Sequence, residues 1–191
     1  MWQVDWTKLM GLLAYDSHQP MIFSSGIFLF LFLAFSFVYM LLQKRVTARL
    51  LFVTLFSYYF YYKSSGIYFF LLGIVTVSDF FLAHRMQQTE THWKRKMLVV
   101  ISLCINLGLL CYFKYTNFFY QMLCPLWNGS FQPLDIFLPV GISFFTFQSL
   151  SYTIDVYQHK IKPTHDIVAF FAFISFFPQL VAGPIDRATN L

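Results

Sequence analysis

The chain has 191 residues, of which 58% are hydrophobic, 22% aromatic and only 11% charged, against about 25% charged residues in a typical soluble domain. The formal net charge of +5 does not indicate nucleic-acid binding, because the basic residues sit between apolar runs, where cytoplasmic loops of membrane proteins carry them. An ordinary soluble domain is excluded, and lipid is expected to be the solvent for much of the surface.

The first run, Met1 to Ala14, mixes Trp2, Val4, Trp6, Leu9 and Leu13 with Gln3, Asp5, Thr7 and Lys8. It is too short and too polar to span, and it lacks the small-residue cleavage pattern of a signal peptide. An amphipathic helix lying in the interface fits it better. Residues 1–20 thus read as an interfacial extension, and residues 21–191 as membrane domain.

A spanning helix needs about 20 apolar residues at about 1.5 Å rise each. Met21 to Leu42 meets this requirement, starting after Pro20 and ending at Gln43-Lys44-Arg45. The second run, Leu50 to Tyr62, is short and rich in Tyr and Phe, and Lys63-Ser64-Ser65-Gly66 after it reads as a turn. Ile67 to Ala83 follows, then a polar stretch from His84 to Lys96. The fourth run is Met97 to Phe113, with a continuation past Lys114 to Leu123 open. Pro125 to Pro133 has turn chemistry. The fifth run is Leu138 to Tyr157, with Pro139 and Gly141 in its first turn, and a polar link runs from Gln158 to His165. The sixth, Ile167 to Phe177, is expected to halt at Pro178. The pattern predicts an all-α, polytopic transmembrane protein with five or six hydrophobic segments.

If each run spans once, Lys44, Arg45, Arg49, Arg85, Lys94, Arg95, Lys96, Lys160 and Lys162 share one side, against Lys8, Lys63 and Lys114 on the other. This bias predicts cytoplasmic basic links and an outside N-terminus. The sixth run then starts in the cytoplasm and breaks inside the bilayer. Its freed backbone groups must be buried in protein or line a wet cavity, which makes Pro178 and Gln179 site candidates. A simple cap on a tilted short helix is the plainer alternative.

On a helical projection of the fifth run, Gln148, Ser151, Tyr152 and Asp155 form a polar stripe about 120° from Phe147, Leu150 and Ile154. Such a stripe inside a span reads as a cavity wall for a polar substrate. The competing reading is interhelical hydrogen bonding, with Asp155 pairing with a nearby Lys. Asp79, beside Ser78 and Thr76, needs a cation or several donors, and a structural ion pair is expected there rather than a catalytic role. Cys104, Cys111 and Cys124 show no metal or disulfide spacing and read as small packing residues. The five histidines lie in links or at run ends, so none is expected to be a buried catalytic base and none has metal-ligand spacing. No phosphate loop, nucleophile elbow or carboxylate pair is present.

Three stretches together resemble one family: Met21-Ile22-Phe23-Ser24-Ser25 leading into Phe28 to Leu33; Leu138 to Gln148 continuing through Tyr152, Asp155 and Tyr157; and Phe176 to Ile185, which includes Pro178, Gln179, Gly183 and Pro184. Phe113-Lys114-Tyr115 with Asn117-Phe118-Phe119 adds to the match. The chain is similar here to the membrane-bound O-acyltransferases, in the branch of the bacterial alginate O-acetylation and teichoic acid D-alanylation proteins. The resemblance implies about eleven spans in the full fold, around a thin central region. It implies no bound cofactor but an acyl thioester donor, acyl-CoA or acyl carrier protein, arriving from the cytoplasm. The acceptor would be a polysaccharide hydroxyl, or a periplasmic acetylation partner protein, met on the far side of the cytoplasmic (inner) membrane.

The resemblance also implies a catalytic His beyond Leu191, so that no catalytic residue lies in this chain, which is expected to be an incomplete and by itself inactive N-terminal portion. The candidates for tunnel lining are Gln148, Ser151, Tyr152, Asp155, Pro178, Gln179, Gly183 and Pro184. A transporter or flippase, or a non-catalytic membrane subunit, is the alternative, though the internal repeat common in transporters is not found.

Overall fold

The computed structural model describes residues 26–124 and 132–183, and all of their regular structure is helical. The expected interfacial helix of residues 1–20 lies outside the described residues. Helix α1 is Gly26–Leu41, α2 is Val46–Ser65 and α3 is Phe69–Gln88. Helix α4, His92–Leu110, continues through a π-helical turn at Cys111–Tyr115 into α5, Thr116–Leu123. After the loop come α6, Ile142–Tyr157, then α7, Ile167–Ser175, and the short α8, Phe177–Ala182. Two helical stretches are long and apolar enough to cross a membrane, Val46–Gln88 and His92–Leu123; Phe28–Leu41 and Ile167–Leu180 are shorter apolar helices.

Several boundaries differ from the sequence expectation. Lys63, Ser64 and Ser65 belong to the last turn of α2, because in lipid a backbone keeps its helical hydrogen bonds for as long as it can. The chain reverses at Gly66, whose φ of 58° ends the helix. The Phe69 ring returns to within 5.9 Å of Tyr62 and 6.5 Å of Tyr58. The polar stretch from His84 is mostly helical as well, with α3 running to Gln88 and α4 starting at His92. The fourth run does continue to Leu123. The fifth loses its first residues, because Gly141 at φ 73° stands before α6.

Helix–helix contacts sort the links to two ends of the bundle. At one end, Arg95 of α4 donates to the carbonyls of Val156 (3.4 Å) and Tyr157 (3.0 Å) at the C-terminus of α6, and it also contacts the His159 ring. A guanidinium there satisfies orphan carbonyls and opposes the negative helix end. The His84 and His165 rings meet at this end, 5.0 Å apart. At the other end, the Val140 N–H donates to Ser65 Oγ at 3.0 Å, and Tyr68 stacks on Phe137 at 5.1 Å. The Lys114 ammonium in the π-helical turn reaches Ser143 Oγ at 3.4 Å.

Between these ends the core is built from Leu72, Val75 and Met86 of α3, Phe145 and Tyr152 of α6, and Phe170 of α7. A second, aromatic cluster surrounds Phe177, whose ring lies 5.2–6.5 Å from those of Phe28, Phe32, Phe35, Phe56 and Phe60. Leu29, Phe30, Leu33 and Phe37 of α1 point outward, as a lipid-facing surface requires. Cys104 and Cys111 are also exposed rather than packed inside, and only Cys124 is buried.

One polar cluster is fully enclosed. Asp79 of α3 is 0% exposed. Its carboxylate accepts from Ser102 Oγ at 2.5 Å and Asn106 Nδ2 at 2.7 Å, both on α4, and from Ser149 Oγ on α6. The ion pair expected for Asp79 is therefore not formed among the described residues. Hydroxyl and amide donors from two other helices take its place. Hydrogen bonds to a charged group contribute about 1.5–3 kcal/mol each, whereas interhelical ones in membranes average nearer 0.6 kcal/mol. Asp79→Ala removes three acceptor contacts and leaves the donors unpaired. It is expected to lower unfolding stability in detergent by about 2–5 kcal/mol, with Asp79→Asn milder; thermal unfolding of the two variants checks this.

Candidate functional site

Proline dictates where the sixth run breaks, but not by occupying the break. Pro178 has no N–H for the Ile174 carbonyl, and its ring crowds the preceding turn, so the helix ends upstream. The interruption is at Phe176 (φ −55°, ψ 108°), and the chain resumes as α8 with Pro178 in the first turn, where a missing donor costs nothing. This corrects the expected halt at Pro178. Gln179 and Leu180 donate their N–H groups back to the Phe176 carbonyl at 3.0 and 3.2 Å.

The polar groups freed by the break find partners in protein. The Phe177 N–H donates to Ser57 Oγ of α2 at 3.3 Å. The Phe173 carbonyl accepts from Gln148 Nε2 of α6 at 2.9 Å, and the same nitrogen lies 3.1 Å from Gln179 Oε1. Two of the predicted residues, from segments 31 positions apart, thus meet at the interruption. Ser57 stands in the middle turns of α2, so the break sits at mid-depth in the bundle.

Two glycines make this packing possible. At Gly141, φ is 73° and a Cβ would run into the Leu180 carbonyl, so both the backbone conformation and the approach of α8 require Gly. At Gly183 a Cβ would collide with the backbone of Gln179, one turn earlier. Pro184 lies outside the described residues.

The remaining stripe residues do not converge on the break. Tyr152 is buried, and its hydroxyl accepts from the Thr164 N–H at 3.1 Å, which pins the link before α7. Asp155 is 3.7 Å from the exposed Lys160 ammonium, as the interhelical reading anticipated for a nearby Lys; such a rim pair contributes little. Ser151 is half-buried. Gln148 and Asp155 are seven residues apart, or about 10 Å along the axis, so the stripe serves separate contacts. A cavity of about 500 Å³ opens on the other side of the break, between α1, α2 and α7; of the predicted residues, Gln179 lines it, together with Phe176.

Sequence reading missed Ser57, Ser102, Asn106, Ser149 and Thr153, whose Oγ1 accepts from Ser102 Oγ at 3.5 Å. The signal was there in small polar residues four apart within apolar runs, Ser102 with Asn106 and Ser149 with Thr153, a spacing that puts both on one helix face. Of the described histidines, His92 packs on Tyr157, His159 on Arg95, and His84 and His165 on each other. All four are at the basic end, none at the break.

Gly141→Ala is expected to cost at least about 2 kcal/mol, from the left-handed conformation and the collision with α8. Gly108→Ala, with open space around it, should be neutral or stabilising. Detergent melting curves of the pair distinguish these outcomes. Gln148→Leu leaves the Phe173 carbonyl without its donor and should lower stability by about 1–3 kcal/mol in the same measurement.

Comparison with known proteins gives consistent relatives. The chain is 35% identical over 177 residues to a Pseudomonas aeruginosa protein named "Probable alginate O-acetylase AlgI", and 36% identical over 182 residues to its namesake in Azotobacter vinelandii. It is 32% identical over 199 residues to the peptidoglycan O-acetyltransferase of Helicobacter pylori. Each alignment covers 90% of this chain but 34%, 35% and 38% of the respective relative, so the chain spans about a third of the length of the curated relatives it matches. No family model and no solved structure matches. Over nine-tenths of its length the chain is thus similar to curated O-acetylation proteins, and its motifs resemble those of the alginate O-acetylation branch of the membrane-bound O-acyltransferases.

Proposed function

We propose that the chain forms part of a membrane-bound O-acyltransferase that transfers an acyl group, acetyl being the expected one, to hydroxyls of an extracytoplasmic polysaccharide. The observation that carries this reading is the 32–36% identity, over nine-tenths of the chain, to proteins named for O-acetylation. Their named acceptors, alginate and peptidoglycan, are both glycans, which supports a cell-envelope glycan as acceptor and the cytoplasmic membrane as location. The shared end of Arg49, Arg95 and Lys160 supports cytoplasmic basic links and an outside N-terminus.

The chemistry proposed is general-base catalysis. A neutral imidazole takes the proton of the acceptor hydroxyl, the oxygen attacks the acyl thioester carbonyl, and the thiolate leaves. That imidazole is expected outside these 191 residues, in keeping with the placement of the described histidines at the basic end. This chain would supply scaffold and one wall of the reaction path. The interruption at Phe176 fits that role, because it puts the Gln179 amide, held by Gln148, at mid-depth in the bundle. A side-chain amide can donate to a developing oxyanion.

The test uses the complete protein in its own cell. Deleting the gene should abolish alkali-labile acetate on the surface polysaccharide, and restoring it should recover the ester. Gln179→Ala should assemble normally and lower the rate of ester formation about a hundredfold, the lower range for loss of a preorganised donor. Unchanged ester on deletion sinks the acyltransferase reading, and unchanged ester with Gln179→Ala retires the role given to that residue.

A further inference from the structure

The cavity of about 500 Å³ beside the break is within the range of about 300–1,000 Å³ usual for small-ligand sites. It lies between α1, α2 and α7, and its walls include Phe35, Val53, Ala172 and Phe176. Among the described residues its one charged lining group is Arg49, in the first turn of α2, with Tyr39 beside it. The Arg49 guanidinium lies over the Tyr39 ring at 5.4 Å, and no carboxylate among the described residues pairs with it. Lys44 and Arg45 precede it in the same link, and the first turn of α2 has no side-chain cap on its amides. A second groove around that turn has Arg45 at its head and Val46 and Leu51 along it.

An apolar slot headed by a guanidinium that no described carboxylate neutralises, at the end where the basic links gather, matches a molecule with an anionic head and a hydrocarbon tail. Basic pockets between membrane helices on the cytoplasmic side select such head groups. We propose that this cavity is a binding site for an anionic phospholipid, with the phosphate on Arg49 and one acyl chain running between α2 and α7 toward Phe176. A lipid held there would seal the outer side of the helix break, leaving the interruption open only toward α6. The inference does not depend on the acyl-transfer reaction.

The full chain, purified in a mild detergent from nanodiscs of equal phosphatidylglycerol and phosphatidylcholine, tests this by native mass spectrometry. Phosphatidylglycerol should be retained preferentially. Arg49→Ala should cut its retention about tenfold, and so should Ala172→Leu, which fills the slot and leaves the charge in place. Arg49→Lys, which keeps a cation for the phosphate, and Lys94→Ala, a basic residue outside the slot, should retain it. Absence of retained lipid, equal retention of both lipids, or retention indifferent to Arg49→Ala and Ala172→Leu overturns the proposal. So does protection of a cysteine at Val53 by another segment of the protein in lipid-free detergent.

Discussion

A single buried carboxylate, Asp79, met by hydroxyl and amide donors and by no described cation, governs the arrangement of this bundle. Its three donors come from two other helices, and each has to sit within hydrogen-bonding distance of the same two oxygens. Apolar packing between lipid-facing helices tolerates sliding, because one methyl contact resembles the next; a buried carboxylate does not, because an unmet charge in such surroundings is expensive. The cluster therefore sets the register of α3, α4 and α6 together. With α6 held in place, Gln148 is brought under the end of α7 and Gly141 against α8, so the geometry of the helix break inherits its precision from a residue on another helix.

The same accounting explains why the break can exist at mid-depth. An interrupted helix in hydrocarbon exposes backbone groups that lipid cannot serve. Here one carbonyl is taken by Gln148 and one N–H by Ser57, side chains that would be poor choices on a lipid-facing surface. The aromatic rings gathered around Phe177 supply shape and area at the same point. Polar satisfaction comes from α6 and α2 and apolar burial from α1 and α2, so both sides of α8 are fixed.

Much of this was legible in the residues. The apolar runs gave the helical class, the polar spacing singled out Gln148, and the proline located the break to within two positions. Asp155 also met a neighbouring Lys, as the competing reading of the stripe anticipated. What could not be read was partnership. Nothing in the run around Asp79 says whether a Lys or three small donors will meet it, since Ser102, Asn106 and Ser149 are 23, 27 and 70 residues away. Helix ends differ from expectation where polar residues follow an apolar run. Lys63 and the residues after His84 stay helical because their backbones gain more from continued hydrogen bonding than their side chains lose. The stripe on α6 failed as a single feature because one helix face, followed for two turns, passes three different neighbours.

The spread of those donors along the sequence sets an order of events while the protein is being made. Ribosomes add about 5–20 residues per second, so Ser102 and Asn106 emerge within a few seconds of Asp79. Ser149 is 70 residues later and follows only after roughly 4–14 s. For that interval α3 and α4 can pair as a hairpin with the carboxylate two-thirds supplied, while the third donor is still unsynthesised. Until α6 arrives, the α3–α4 hairpin carries an acid short of one of its three donors.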